Sequence, residues 1–302
     1  MRLLITGGLG NVGRAAAVHL TAAGHDVVTF DRVTSHDLPW EHVTGDLRDA
    51  LGVRQAMRGV DAVVHAGTYP GDGEPGEEDA VLSIAAGGTW NVMTAAVEAG
   101  VSRVVYVSSV NALGAIKNEH KPDFLPLTDR HPRNPVSIYQ LGKHLSEEVC
   151  RSYTRRCGIP TICLRPTLVA VAPDTYQLWR GDDPHLHERL AANFGAYIDR
   201  RDLLSAIDLA LAVEGIDHDG SLLAARDIST DRLTTAEIIE QYAPAVPWPG
   251  TSLAEWTRDD PYRSPFDCSH AAQRLGWTPK HSWRDTPSAD DAAPLTPHGD
   301  LR

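Results

Sequence analysis

"RLLITGGLGNVGRAAAVHL", residues 2–20, decides the fold. Its first five residues form a short apolar run of strand type, and from Asn11 onward the spacing of apolar residues is helical. The glycines between them therefore sit at a strand-to-helix turn, the context in which a glycine-rich string has physical meaning. Gly7, Gly10 and Gly13 are spaced GxxGxxG. Such glycines let the backbone turn tightly and approach a pyrophosphate, whose charge rests on the free N–H groups that open the helix. Gly7, Gly10, Asn11, Val12 and Gly13 are accordingly candidate dinucleotide-binding residues.

The same rhythm continues outward. Strand-like runs "RLLIT", "DVVTF", "HVTG", "AVVHA", "RVVYVSS" and "TICLRP" alternate with helical stretches, among them "NVGRAAAVHLTAAG", ending in Gly24, and "AVLSIAAGGTWNVMTAAVEAG", ending in Gly100. Strand–helix alternation predicts a Rossmann-type α/β fold, a doubly wound parallel sheet. The second strand ends in Asp31, where a carboxylate can accept hydrogen bonds from the adenosine ribose and repel a 2′-phosphate. NAD is favoured over NADP, although Arg32 beside it can attract that phosphate. "GDLRD" after the third strand places Asp46 and Leu47 near an adenine ring, and "HAGT" after the fourth offers Ala66 and Gly67 where a cofactor lies close.

Past residue 166 the alternation loosens. "RRDLLSAIDLALAVEG" and "TTAEIIEQYA" have helical patterns and "GSLLAA" reads as a strand. The predicted organisation is an NAD(P)-binding domain over 1–166 and a smaller mixed substrate lobe over 167–285, with room for the two to interleave. The stretch 286–302, "TPSADDAAPLTPHGDLR", has almost no large apolar residues and is expected to be a disordered tail.

Composition narrows the partners. A chain of 302 residues with 42% hydrophobic content can bury a large core. A net charge of −12 weighs against nucleic acid, which is bound through clustered Lys and Arg. The opening residues lack a secretory leader and no long apolar membrane span is evident, so neither membrane nor export is expected. Cys150, Cys157, Cys163 and Cys268 have no metal or disulfide spacing, which fits a reducing cytoplasm. His185 and His187 in "PHLH" lack a third ligand, so no metal is expected.

"SIYQLGKHLSEE", residues 137–148, carries the chemistry. Tyr139 and Lys143 lie one helical turn apart on a shared face, in a chain with only four lysines. A phenol is a poor base at neutral pH, and a close ammonium favours its ionised form. The fifth strand ends in Ser108 and Ser109, and parallel strands deliver their C-terminal ends to one crevice. Ser109 is expected to hold a substrate oxygen while Tyr139 exchanges its proton beside a hydride carrier, with Ser108 as the neighbouring candidate.

"TGGLGNVG", Asp31, "GDL", "VVYVSS", "PVSIYQLGK", "CLRP" and "DCSHAAQRLGWTPKHSW" together resemble the extended short-chain dehydrogenase/reductase superfamily, the NAD-dependent epimerase/dehydratase family, over nearly the whole chain. The resemblance implies that Tyr139 is the catalytic acid/base, that Lys143 lowers its pKa and binds the nicotinamide ribose, and that Ser109 positions substrate. It also makes a homodimer through paired helices compatible with the chain.

Departures from the family pattern narrow the reaction. Dehydratases of the family carry an acidic residue after the catalytic Ser or Thr, and here Val110 and Asn111 stand there. Nucleotide-sugar epimerases place polar anchors where this chain has Ala85, Leu168 and Gly195. A buried diphosphate needs polar partners, so a small substrate without a nucleotide is expected. Tyr69, Asn111, Thr167, Trp179 and Arg180 are the pocket candidates, with Arg180 able to grip a carboxylate, and the acidic loop 69–79 reads as a lid or a solvated loop. The reading is an NAD-dependent oxidoreductase acting on a hydroxyl or carbonyl of a sugar, sugar acid or small polyol. An epimerase using transient oxidation is the alternative; a non-catalytic NAD(P)-sensing regulator is remote, because such proteins lose the Tyr and Lys pair.

Overall fold

Parallel strands covered on both faces read as unbroken apolar runs, and the chain supplies them in order. In a computed structural model describing residues 1–115 and 120–285, the strands are β1 (Arg2–Thr6), β2 (Asp26–Asp31), β3 (Glu41–Thr44), β4 (Ala62–His65), β5 (Arg103–Val107), β6 (Thr161–Pro166), β7 (Leu168–Ala170), β8 (Tyr197–Asp199) and β9 (His218–Leu223). The helices are α1 (Asn11–Ala22), α2 (Ala50–Ala56), α3 (Glu78–Leu82), α4 (Gly88–Ala99), α5 (Ile138–Cys157), α6 (Asp174–Arg180), α7 (Leu186–Asn193), α8 (Arg200–Ala212), α9 (Thr235–Tyr242), α10 (Leu253–Trp256) and α11 (Ser269–Leu275). Seven strands form one sheet in the order β3-β2-β1-β4-β5-β6-β9, parallel at every junction. The stretch 286–302, expected to be a tail, lies outside the described residues.

Each face of the sheet carries its own apolar layer. Leu3, Ile5, Val64, Val105 and Ile162 pack with Leu20 of α1 and with Leu203 and Ile207 of α8. On the other face Leu4, Val28, Val63, Val104 and Cys163 pack with Val92 and Met93 of α4 and with Cys150 and Tyr153 of α5. The reversal of strand order between β1 and β4 opens a crevice beyond the C-terminal strand ends, where ligands of such sheets bind.

Local detail departs from the sequence reading in three places. The strand read from "GSLLAA" begins at His218 and pairs with β6 from Thr161↔His218 to Pro166↔Leu223, so a segment beyond residue 166 completes the large sheet. The helical stretch 80–100 is interrupted by a π-helical turn, Ser83–Gly87, between α3 and α4. Such turns often occur at functional sites. The continuous 22-residue run Glu78–Ala99 is also long and apolar enough to cross a bilayer, holding an 18-residue window of mean hydropathy 1.4. That corrects the expectation that no such run exists: its alanines and glycines are apolar without being bulky. Here Val92, Met93, Ala95 and Ala96 turn their side chains into the core beneath the sheet.

Candidate active site

β1 empties into a turn that only glycine can make. Gly7 has φ +65°, and a Cβ there would sit 2.5 Å from the Cα of Gly67; a Cβ on Gly13 would sit 2.1 Å from the Gly7 carbonyl oxygen. α1 therefore starts hard against the turn. It has no side-chain cap at Gly10 and no acidic residue in its first turn, leaving N–H groups and the positive helix end for an anion. Gly7, Gly10, Asn11, Val12, Gly13, Asp31, Arg32, Asp46, Leu47, Ala66 and Gly67 all line one cleft of about 420 Å³. The Asp31 carboxylate is fixed at the cleft wall by the Leu9 and Val33 amides, which donate to it at 3.0 and 3.2 Å. Asp46 is gripped by Arg48 at 2.6 Å, which holds its carboxyl below the usual range. The lining also includes Tyr69, which was expected on the substrate side; its phenol donates to Glu77 at 2.5 Å.

A buried relay, not legible in the sequence, fixes the cleft wall at Gly67. The Gly67 amide donates to Thr6 Oγ1 at 3.3 Å, and Thr6 Oγ1 meets His65 Nδ1 at 2.6 Å. His65 Nε2 meets Thr89 Oγ1 at 3.0 Å, and Thr89 donates to the Ala85 carbonyl at 2.6 Å. Since Thr89 spends its proton on Ala85, His65 donates from Nε2 and accepts from Thr6 at Nδ1, one consistent neutral tautomer. Burial, aided by the charge on Lys143, pushes His65 down to about 3, so the ring stays neutral.

Ser109, Tyr139 and Lys143 come together at the end of the neighbouring strand, β5. Ser108 and Ser109 point differently. Ser108 Oγ donates inward to Glu147 at 2.7 Å, whereas Ser109 caps the short turn Val110–Leu113 and lies on the side of the Tyr139 phenol. This separates the two serine candidates: Ser109 faces the tyrosine and Ser108 faces the core. Asn111 Nδ2 donates to Ser109 Oγ at 3.3 Å and Asn111 Oδ1 accepts from Gln140 at 3.4 Å, tying the serine to α5. Ser137 and Gln140 close a capping box at the start of α5, so the tyrosine stands in a well-fixed first turn.

The electrostatics correct one expectation. Lys143 Nζ donates to the Val107 carbonyl at 2.9 Å and lies 5.9 Å from the centre of the Tyr139 ring. It does not hold the phenol below its ordinary value. Burial pushes the Tyr139 phenol above its ordinary value, with the neighbouring Ser109 hydroxyl pulling down and the Asp72 carboxylate pushing up. Lys143 is drawn from 10.5 to about 8 by burial, against the attraction of Glu147. The ammonium gives its hydrogen bond to the Val107 carbonyl and stands 5.9 Å from the centre of the Tyr139 ring.

The remaining pocket candidates are placed elsewhere. Trp179 is 4% exposed and stands edge-on to Tyr197 at 4.8 Å and to Trp283 at 6.2 Å, a core residue and not an open stacking platform. Arg180 donates to the Trp283 carbonyl and lies over its ring. Thr167 turns its hydroxyl to the Leu223 carbonyl at 3.4 Å. His185 meets Glu188 while His187 meets Tyr242, and among the described residues no group of His, Cys, Asp or Glu can hold a metal ion. Behind the site Arg165 forms a fork to Glu147, both contacts 2.8 Å, and reaches Asp129 at 2.7 Å. Glu147 follows Lys143 by one helical turn, and that i,i+4 spacing to a lysine was the signal for it.

Sheet and glycine turn together define a Rossmann-type fold of the extended short-chain dehydrogenase/reductase kind. The profile of the NAD dependent epimerase/dehydratase family matches residues 3–213, and the chain belongs to that family. It is 31% identical to L-arabinose 1-dehydrogenase (NAD(P)(+)) of Haloferax volcanii over 54% of this chain and 65% of that one. It is 27% identical to UDP-glucose 4-epimerase of Corynebacterium glutamicum over 93% and 92% of the two chains. The chain spans between 40% and 65% of the length of the curated relatives that it matches over about half its own length. A short-chain dehydrogenase/reductase superfamily protein from Agrobacterium tumefaciens, solved with bound NAD, has the same fold, with a TM-score of 0.71 at 24% identity and 94% of each chain covered.

Proposed function

We propose that this chain is an NAD-dependent dehydrogenase that interconverts a hydroxyl and a carbonyl on a sugar, sugar acid or similar small polyol. The observation that carries the reading is the meeting of Ser109, Tyr139 and Lys143 at the C-terminal end of β5, beside the cleft walled by Gly67 at the end of β4. NAD bound in that cleft supplies a hydride acceptor. Ser109 orients the substrate oxygen, Tyr139 exchanges the proton with it, and Lys143 holds the wall through Val107. Asp31 favours a cofactor without a 2′-phosphate, with Arg32 leaving NADP as the lesser partner. Asn111 lies beside Ser109, and Arg180 and Thr167 are its more distant candidates for substrate contact.

The positions where a nucleotide diphosphate would need polar anchors are Ala85, Leu168 and Gly195, and Leu168 is 44% exposed. This favours a small substrate. An epimerase on a nucleotide sugar is the second reading, favoured by the match to the Corynebacterium enzyme over 93% of this chain. We place the protein in a reducing cytoplasm, as four free thiols would suit, and any homodimer on α4 and α5, where Trp90 is 46% exposed.

A panel of free aldoses, sugar acids and UDP-sugars with NAD or NADP, followed by NADH absorbance and product stereochemistry, tests this. Net NADH with a free sugar supports it; inversion of a UDP-sugar without net NADH overturns it. Tyr139→Phe is expected to lower kcat by about 100- to 10,000-fold while still binding NAD.

A further inference from the structure

The loop 69–77 leaves the cofactor wall at Gly67 and returns to the first turn of α5. There Asp72 Oδ1 accepts the backbone N–H of Tyr139 at 3.0 Å. The helix already has its own cap: Ser137 accepts from Gln140, and Gln140 Oε1 accepts from Val136 and Ser137. The Tyr139 amide is one of the donors such a box leaves over, and a carboxylate is the best acceptor for it at the positive end of a helix. We propose that Asp72 is a positioning residue for the reaction: it fastens the loop from the cofactor wall onto the backbone of Tyr139 and fixes where the phenol stands relative to Ser109.

This rests on the assignment of Tyr139 as the acid/base group. The groups facing the phenol are Ser109 after β5, Tyr106 within β5, Lys143 on α5 and Asp72 from the loop. Asp72 is the anion among them, and it works against ionisation of the phenol. The hydrogen bond keeps the tyrosine in place, while the charge adds to the burial that holds its proton. That combination suits a group that must deliver a proton to an alkoxide when a carbonyl is reduced.

The test separates the hydrogen bond from the charge. Asp72→Asn keeps an acceptor of the same size without the charge, and Asp72→Ala removes both. Ionisation of Tyr139 is read directly from the ultraviolet difference spectrum on raising pH, each variant compared with its Tyr139→Phe partner. Asp72→Asn is expected to move the Tyr139 transition down by about half a pH unit, with the thermal midpoint unchanged. Asp72→Ala is expected to lower kcat about tenfold at unchanged KM for NAD, and Asp72→Asn to restore most of that loss. An unmoved transition in Asp72→Asn, together with parental kcat in Asp72→Ala, overturns the proposal. Because the titration needs no substrate, a protein that turns over nothing in the sugar panel refutes the dehydrogenase reading while the spectrum still decides the role of Asp72.

Discussion

Lys143→Met should make the protein more stable. The side chain is 2% exposed, and burial draws its ammonium from 10.5 to about 8. At about 1.4 kcal/mol per tenfold change in an equilibrium, folding with that ammonium charged costs about 3 kcal/mol. Methionine matches the stem in length and removes the charge. It also leaves the Val107 carbonyl without the donor it now has at 2.9 Å, a loss of about 1 kcal/mol. The variant is therefore expected to exceed the parent by about 2 kcal/mol near pH 7. Since the folded value lies below the unfolded one, between about 8 and 10.5 the unfolded parent binds more protons than the folded parent. Parental stability thus climbs with pH across that window, and the variant's advantage shrinks. Urea unfolding followed by tryptophan fluorescence, on both proteins at matched pH values, measures the gap. A variant less stable than the parent near neutrality, or a gap that does not change across the window, would refute the reasoning.

Gly13→Ala sets a methyl carbon 2.1 Å from the Gly7 carbonyl oxygen, so α1 must withdraw from the turn; NAD affinity by calorimetry is expected to fall at least about tenfold, and parental affinity would count against the tight-turn account. Arg165→Met takes the cation from buried Asp129 and the fork from buried Glu147, which keeps only Arg133 at 3.7 Å, and should cost about 3–5 kcal/mol in urea unfolding. A loss below about 1 kcal/mol would mean that the two carboxylates are already neutral.

The parts of the molecule that depend on local pattern could be read from the chain. "TICLRP" is buried at every position because β5 and β9 flank it in the parallel sheet, and its apolar centre, Ile162 to Leu164, says so. The glycine turn, Asp31 and the one-turn spacing of Tyr139 and Lys143 are likewise short-range signals. What was hidden depends on residues far apart. Trp179 meets Trp283 across the fold, and nothing near residue 179 foretells that partner. Choosing between Ser108 and Ser109 needed the position of Glu147 on another element. The sign of the effect on the Tyr139 phenol depended on burial, which no motif encodes.

Because β6 and β9 are immediate neighbours, everything from Leu168 to Asp217 is, in topological terms, a crossover between adjacent strands that has been elaborated into β7, β8, α6, α7 and α8. Chain cleavage within it would strand the outer sheet member on a separate fragment, and a graft of a foreign pocket would have to bring or retain that member. Changes of substrate in such a scaffold can proceed by rebuilding one long connection while the hydrogen-bonded ladder on either side stays in register.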